Sequence, residues 1–256
     1  MNTSATGART VAITSGKGGV GKTFVSANLA AALAARGQKV LVLDADLGLA
    51  NLDVVLNLHP KLTLHDVFTD KCTLDQAILP APGGFSVLLA GSGLVEYSRL
   101  TPDVRDKLLK ILDAIKPRFD WVLIDTGAGI SDVVLFAVSL ASDVLVVATP
   151  EPTSLTDAYA TIKVLATQQE RRHVGLVINQ ANRVGEGKLI CAQLQQVLAR
   201  YTAAAPGQGF KLELIGEVRA DQAVRQAVLK RQLLMEHYPG SEAAQALKAV
   251  AGKLLG

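Results

Sequence analysis

This chain has few of the residues that build cross-linked or metal-bound folds. It contains 2 cysteines, Cys72 and Cys191, far apart and without a C-x-x-C spacing. The sequence therefore indicates neither a disulfide framework nor a cysteine metal site, and it disfavours an iron–sulfur carrier or reductase. A reducing cytoplasm is the compartment that we expect.

Long apolar runs, net charge and aromatic residues are also scarce. No stretch reaches the ~18 consecutive apolar residues of a membrane-spanning helix, and residues 1–10 contain no apolar segment typical of a secretory signal. A formal net charge of +3 is small, so binding of nucleic acid is not expected without clustered Lys and Arg. Hydrophobic residues make up 49% and aromatic residues only 4%. This composition predicts parallel strands packed through Ala, Val and Leu against helices on both faces.

Short β-like runs alternate with helix-like segments. The candidate strands are residues 11–15, 39–44, 85–90, 121–125, 143–148, 174–179 and 212–218, and the candidate helices are residues 23–36, 102–115, 132–140, 154–171 and 187–201. This alternation predicts an α/β fold with a mostly parallel, twisted β-sheet flanked by helices on both faces. At this length we expect a single domain over residues 10–256, preceded by a short flexible tail, residues 1–9.

A glycine-rich loop follows the first predicted strand. Residues 15–23, SGKGGVGKT, fit the pattern G-x-x-x-x-G-K-[ST] between a strand and a helix. Backbone N–H groups of such a loop, with the N-terminus of the next helix, bind phosphate oxygens. Lys22 would reach the β- and γ-phosphates, and the Thr23 hydroxyl would ligate Mg²⁺. The predicted nucleotide-binding residues of the loop are Gly16, Gly18, Gly19, Val20, Gly21, Lys22 and Thr23.

Carboxylates stand at the ends of two other predicted strands. Asp44 and Asp46 lie where residues 39–44 end, and Asp125 closes the apolar run 121–125. Ligands of parallel sheets bind beyond the carboxyl ends of the strands, and Mg²⁺ prefers oxygen ligands. We therefore predict that Asp125 holds Mg²⁺, as a Walker B aspartate does. Turn or helix-start chemistry is the alternative for such residues, and we adopt it for Asp53.

A second lysine, Lys17, follows the first glycine of the loop. The sequence GKGGVGKT resembles the deviant Walker A motif of the MinD/ParA class of P-loop ATPases, the SIMIBI class. This resemblance implies an ATP-bound homodimer in which Lys17 touches the phosphates held by the other subunit. Residues 44–53 resemble the switch I segment of the family, which implies that Asp46 orients the hydrolytic water and that Asp44 lies in the outer shell of the metal.

Base recognition is also implied by the resemblance. Asn179 matches the adenine-contacting asparagine of the family. A side-chain amide offers both a donor and an acceptor, which can pair with the adenine edge. An ordinary turn or capping role is the alternative for Asn179. Asp221 stands where the family has an acidic residue near the base, although the proline usually found two residues before it is missing.

Nearly the whole chain resembles the flagellar-number branch of the MinD-like ATPases, the FlhG/FleN type. The most branch-specific segments are residues 125–132, DTGAGISD, and 151–154, EPTS. The resemblance implies a slow, partner-stimulated, Mg²⁺-dependent ATPase that regulates flagellar number or placement. Its implied partners are a signal-recognition-type GTPase (FlhF-like) and a flagellar transcription activator. A ParA-like ATPase that positions DNA or another pole or division cargo is the alternative.

The end of the sequence bears on membrane contact. Relatives in this branch end in a basic amphipathic helix that contacts the inner face of the cell membrane. Residues 243–256 here contain two lysines among mostly small apolar residues. This pattern favours a helix docked on the core, with peripheral membrane contact as the alternative.

Overall fold

A computed structural model describes residues 7–47, 51–91, 100–202 and 209–256. Residues 1–6 of the predicted tail and residues 48–50 of the predicted switch I segment lie outside the described residues. In the part of the chain that is described, no helix is both long enough and apolar enough to cross a membrane.

The described residues form one eight-stranded sheet. The strands are β1 (Arg9–Ser15), β2 (Val40–Ala45), β3 (Ile78–Pro80), β4 (Ser86–Leu88), β5 (Trp121–Ala128), β6 (Asp143–Ala148), β7 (His173–Ala181) and β8 (Lys211–Arg219). Their order across the sheet is β3-β4-β2-β5-β1-β6-β7-β8. Every pair is parallel except β3 with β4. The predicted α/β class is therefore confirmed, with β1 and its phosphate loop at the centre of the sheet.

Helices cover both faces of this sheet. They are α1 (Lys22–Ala34), α2 (Leu52–Leu56), α3 (Leu64–Phe68), α4 (Leu74–Ala77), α5 (Pro102–Ile115), α6 (Asp132–Ser139), α7 (Pro152–Thr167), α8 (Glu186–Ala199), α9 (Gln222–Leu229), α10 (Leu234–His237) and α11 (Glu242–Leu255). The apolar sides of α5, α6, α7 and α8 pack in one core layer. The other layer contains α1 and α11. The sheet is thus buried on both faces, as expected for parallel strands.

Small residues explain how α1 fits beneath its neighbours. Its sequence, KTFVSANLAAALA, is buried on nearly every side, between the sheet and α11. Six of its thirteen residues are serine or alanine, all from Ser26 onward, which lets the backbones approach closely. On the neighbouring β8, an added Cβ at Gly216 would collide with the Val250 side chain of α11. As predicted, the C-terminal segment is a helix docked on the core, with Leu247 and Val250 fully buried.

Several short elements were missing from the sequence prediction. These are β3 and the helices α2, α3, α4 and α10, none longer than five residues. A periodicity of 3.6 residues cannot show in so few positions. Local capping identifies some of them instead: Thr63 with Asp66, and Thr73 with Gln76, form capping boxes at α3 and α4. At the other end of the chain, β1 already begins at Arg9, inside the segment predicted as tail.

The alternation of side chains along β2 determines which face of the sheet each of its last residues points to. Leu41, Leu43 and Ala45 face the layer of α5, whereas Val40 and Val42 face the layer of α1. Successive strand residues point to opposite faces, so Asp44 points toward the α1 layer. Asp44 is paired in register with Asp125 of β5.

Candidate functional site

The loop between β1 and α1 lines a cleft of about 1000 Å³ at the carboxyl edge of the sheet. Gly19 and Gly21 have φ angles of +80° and +88°, a region in which residues with a Cβ are strained. Gly21 directly precedes α1, so the first N–H groups of that helix are available to an anion in the cleft. Gly16 packs closely on α7, because an added Cβ would collide with the Asp157 carbonyl.

Most of the predicted site residues lie together around this cleft. Its lining includes Gly18, Gly19, Val20, Gly21, Lys22, Thr23, Asp46, Asn179 and Asp221. Gly16, Lys17, Asp44 and Asp125 are not part of that lining. The structure thus separates the predicted residues into those that line the cleft and those that lie behind or beside it.

Lys22 and Asp125 form a buried ion pair behind the loop. The Lys22 Nζ lies 3.5 Å from the Asp125 Oδ1, and both side chains are less than a tenth exposed. The Ser26 hydroxyl donates to the same oxygen at 2.8 Å. Burial raises the pKa of Asp125, although Lys22, Thr23 and Ser26 each act to lower it. Ser26 was not predicted as a site residue; its position one helical turn after Lys22 was the available signal.

Asp44 is the most deeply buried carboxylate beside this pair. It is 1% exposed, and burial, followed by repulsion from Asp125, raises its pKa well above the ordinary value. Its Oδ1 accepts a hydrogen bond from the Asp46 backbone N–H at 3.1 Å. Its Oδ2 accepts none from the described residues. Asp44 lines a separate cavity of about 280 Å³ rather than the nucleotide cleft.

Lys17 lies beside the cleft and is bound to the start of α7. Its Nζ donates to the Glu151 Oε2 at 3.2 Å and to the Thr153 Oγ1 at 2.9 Å. The Lys17 and Glu151 side chains are 39% and 64% exposed, so this ion pair is solvated and weak. Sequence reasoning singled out residues 151–154 only by resemblance and did not predict that they hold Lys17.

Asn179 and Asp221 both line the cleft, and both also support the fold. The Asn179 Nδ2 donates to the Val20 carbonyl at 2.8 Å, which ties the end of β7 to the phosphate loop. The Asp221 Oδ1 accepts from the Ala223 N–H at 2.8 Å, and its Oδ2 accepts from the Ala243 N–H at 3.2 Å. Asp221 therefore caps α9 and attaches α11, two roles that sequence reasoning missed.

The donor set of the cleft fits a nucleotide phosphate with Mg²⁺. A glycine-rich loop, a helix N-terminus and Lys22 suit the phosphate, and the Thr23 hydroxyl and the Asp125 carboxylate suit a hard cation. The residues described contain no group of three His, Cys, Asp or Glu that could cage a metal ion. Mg²⁺ does not require one, since it keeps several waters and takes one or two protein ligands beside the phosphates.

The central strand, the phosphate loop and the buried lysine–aspartate pair define a P-loop NTPase. The ParA family model, described as NUBPL iron-transfer P-loop NTPase, matches residues 7–255. This chain belongs to the ParA family of P-loop NTPases.

Two curated relatives concern flagella. The antiactivator FleN of Pseudomonas aeruginosa is 43% identical over 244 residues, which cover 95% of this chain and 85% of FleN. The flagellum site-determining protein YlxH of Helicobacter pylori is 30% identical over 247 residues, covering 96% of this chain and 81% of YlxH.

Solved structures of MinD share the fold. The cell division ATPase MinD of Pyrococcus furiosus has a TM-score of 0.78 and 28% identity, covering 96% of this chain and 98% of that chain. MinD of Pyrococcus horikoshii, complexed with Mg-ADP, has a TM-score of 0.78 and 27% identity, covering 96% of both chains. The predicted resemblance to the MinD/ParA class is confirmed.

Proposed function

We propose that this protein is an Mg²⁺-dependent ATPase whose ATP-bound homodimer regulates flagellar number or placement. The observation that carries the proposal is the position of Lys17. This lysine belongs to the phosphate-binding loop, yet its ammonium group rests on Glu151 and Thr153 beside the cleft. A lysine held in this way by an exposed ion pair can be transferred to a phosphate of a second subunit at little cost.

Each predicted residue has a distinct task in this proposal. Mg-ATP, when bound, supplies the phosphoryl group that passes to water. Lys22 binds phosphate oxygens, and Thr23 and Asp125 hold the metal, directly and through water, with Asp44 behind them. Asp46, at the wall of the cleft, orients the attacking water. Lys17 from the second subunit neutralises the negative charge that develops on the phosphoryl oxygens.

Base binding completes the nucleotide site. Asn179 retains its Oδ1 and one N–H for an adenine edge while its other N–H holds Val20. Asp221 is a weaker candidate, because both its oxygens already accept backbone hydrogen bonds. We assign Asn179 to the base and Asp221 to the support of the wall beside it.

The flagellar role rests on the relatives named for it. FleN is an antiactivator, and YlxH determines a flagellum site. By analogy we propose two partners for the ATP-bound dimer, a flagellar transcription activator and a signal-recognition-type GTPase. We propose one cytoplasmic domain that extends from β1, which begins at Arg9, to residue 256, with peripheral contact at the membrane or cell pole.

Sedimentation with ADP and with ATP, together with phosphate release, tests the switch. We expect wild type to dimerise with ATP only transiently and Asp46→Ala to accumulate as a dimer, because hydrolysis no longer dissolves it. Asp113→Asn, which changes an exposed carboxylate on α5, is the control and should match wild type. An Asp46→Ala protein that stays monomeric with ATP would contradict the proposal.

A further inference from the structure

An arginine, Arg219, lines the nucleotide cleft on the wall that carries Asn179. It is the last residue of β8 and is paired in register with Ala181 of β7, next to the pair of Asn179 with Val218. The ends of these two strands therefore form one wall at the carboxyl edge of the sheet, where ligands of parallel sheets bind. Arg219 occupies the position of the proline that is missing two residues before Asp221.

One N–H group of Arg219 has no acceptor among the described residues. This is the Nε, a buried atom, although the side chain as a whole is 41% exposed. The Nη1 of the same guanidinium donates to the Glu242 Oε2 at 2.8 Å, on the first residue of α11. Buried donors in folded proteins are nearly always paired. The Nε–H therefore indicates an acceptor that the described residues do not supply.

The carboxylates nearest to Arg219 along the chain are already engaged by backbone N–H groups. The two Glu217 oxygens accept from Gly185 and Gly187 at 3.0 and 2.6 Å, and those of Asp221 accept at the starts of α9 and α11. Either carboxylate could turn to Arg219 only by leaving the donors at a helix start unpaired, which is costly. We therefore expect the acceptor to come from a molecule in the cleft.

We propose that Arg219 binds the base of the nucleotide by donating its Nε–H to a ring nitrogen, an inference that rests on the proposed function. Adenine offers ring nitrogens as acceptors, and arginine carries only donors. Asn179, on the same wall, keeps one donor and one acceptor for the base. The two side chains thus supply complementary groups, and Arg219 is a specificity-determining residue of the cleft.

A purely structural role of Arg219 is the alternative that a test must exclude. Through Glu242 the arginine also attaches the start of α11, next to the Ala243 N–H that Asp221 holds. Glu242 is 69% exposed, and an exposed ion pair contributes little to stability. Loss of that pair alone should therefore change nucleotide affinity by less than threefold.

Calorimetric titration of the full chain with Mg-ADP and with Mg-pyrophosphate tests the contact, because pyrophosphate has the phosphates but no base. We expect Arg219→Met to weaken ADP binding at least tenfold, the loss of a hydrogen bond from a charged donor, and pyrophosphate binding less than threefold. Glu242→Gln should leave ADP affinity within threefold. Arg118→Met removes an arginine of matched exposure, 40%, outside the cleft lining, and should equal wild type.

Two further measurements sharpen this test. Arg219→Lys keeps the positive charge opposite Glu242 and is the second variant in case Arg219→Met does not fold. Lysine has no N–H at the position of the Nε, so ADP should still bind at least fivefold more weakly. Titration with 2′-deoxy-ADP distinguishes the base from the ribose, and Arg219→Met should weaken its binding as much as that of ADP.

Four results would overturn the inference. The first is an ADP affinity of Arg219→Met within twofold of wild type. The second is an equal loss for ADP and pyrophosphate, which would indicate a general effect of charge. The third is an equal loss in Glu242→Gln, which would assign Arg219 to the support of α11. The fourth is unchanged binding of 2′-deoxy-ADP, which would place the contact on the ribose. A wild-type protein that binds no ADP would instead refute the proposed function itself.

Discussion

Two lysines of one loop, five positions apart, lie in opposite environments. Lys22 is buried against a buried carboxylate, whereas Lys17 is 39% exposed on a partner that is itself 64% exposed. Lys22 lies in the interior at the start of α1. Lys17 lies on the surface and contacts the start of α7. A glycine-rich loop can therefore carry one cation that the fold holds in place and another that is held only loosely.

The difference has an energetic cause. Breaking a buried pair leaves an uncompensated charge and costs several kcal/mol, so Lys22 can leave Asp125 only when phosphate replaces it. An exposed pair contributes about 0–1 kcal/mol, so Lys17 can exchange Glu151 for another anion readily. The contrast supports assigning Lys22 to binding and Lys17 to a step that needs movement.

Lys17→Ala is the change that should separate the two lysines most clearly. We expect turnover to fall about 1000-fold, the lower range for loss of a cation that stabilises phosphoryl transfer from a second subunit. ATP affinity should change by less than about fivefold, because only an exposed contact is lost. Phosphate release and calorimetry measure the two quantities.

Lys116→Ala is the matched control for that experiment. It removes a similarly exposed lysine, paired with Asp113 at 3.5 Å on α5 and the turn after it. Its turnover should equal that of wild type. Unchanged turnover in Lys17→Ala itself would exclude the trans role of that lysine.

Lys22→Met should affect binding rather than only turnover. The substitution keeps the apolar length of the side chain but removes the cation that reaches the phosphates. A hydrogen bond to a charged group contributes about 1.5–3 kcal/mol, so ATP affinity should fall about 100-fold at the upper end of that range. Calorimetric titration with ATP checks this, and affinity within twofold of wild type would refute the assignment.

Gly16→Ala tests how tightly the phosphate loop packs against α7 at the residue before Lys17. Its Cβ would collide with the Asp157 carbonyl in α7, a backbone atom that cannot move alone. We expect the free energy of unfolding to fall by about 2 kcal/mol, within the range for overpacking. Gly18→Ala, where an added Cβ meets nothing within 4 Å, is the control in the same denaturant titrations. Equal stability of both variants would show that α7 yields to the loop.

Glu151→Gln should have the smallest effect on the fold. Loss of the exposed pair should change the free energy of unfolding by less than about 1 kcal/mol. ATP-dependent dimerisation should become up to about fivefold tighter, since Lys17 no longer leaves a charged partner. Sedimentation at several protein concentrations measures this, with Asp113→Asn as the matched exposed pair. Weaker dimerisation would mean that Glu151 itself belongs to the interface.

Local patterns were sufficient for most of the fold. The central strands and the longer helices follow from apolar runs or amphipathic repeats, and residues 102–115 and 143–148 were predicted with the bounds of α5 and β6. Shorter elements such as β3 and α2 could not be predicted, because a few residues do not show a period. The local signal for α3 and α4 is instead a capping box at the start of each helix.

The sequence by itself determined the phosphate loop, since glycines at 19 and 21 permit the positive φ angles that the loop adopts and the Lys-Thr pair follows at once. It also determined that Asp44, Asp46 and Asp125 would lie at one edge of a parallel sheet. Only the tertiary structure decided which distant groups meet. Lys17 contacts Glu151, 134 positions away, and Ser26 contacts Asp125, 99 positions away. Periodicity specifies which face of an element is buried, but packing between elements decides which polar groups on those faces come within hydrogen-bond distance. The same packing places Asp44 at a cavity separate from the nucleotide cleft.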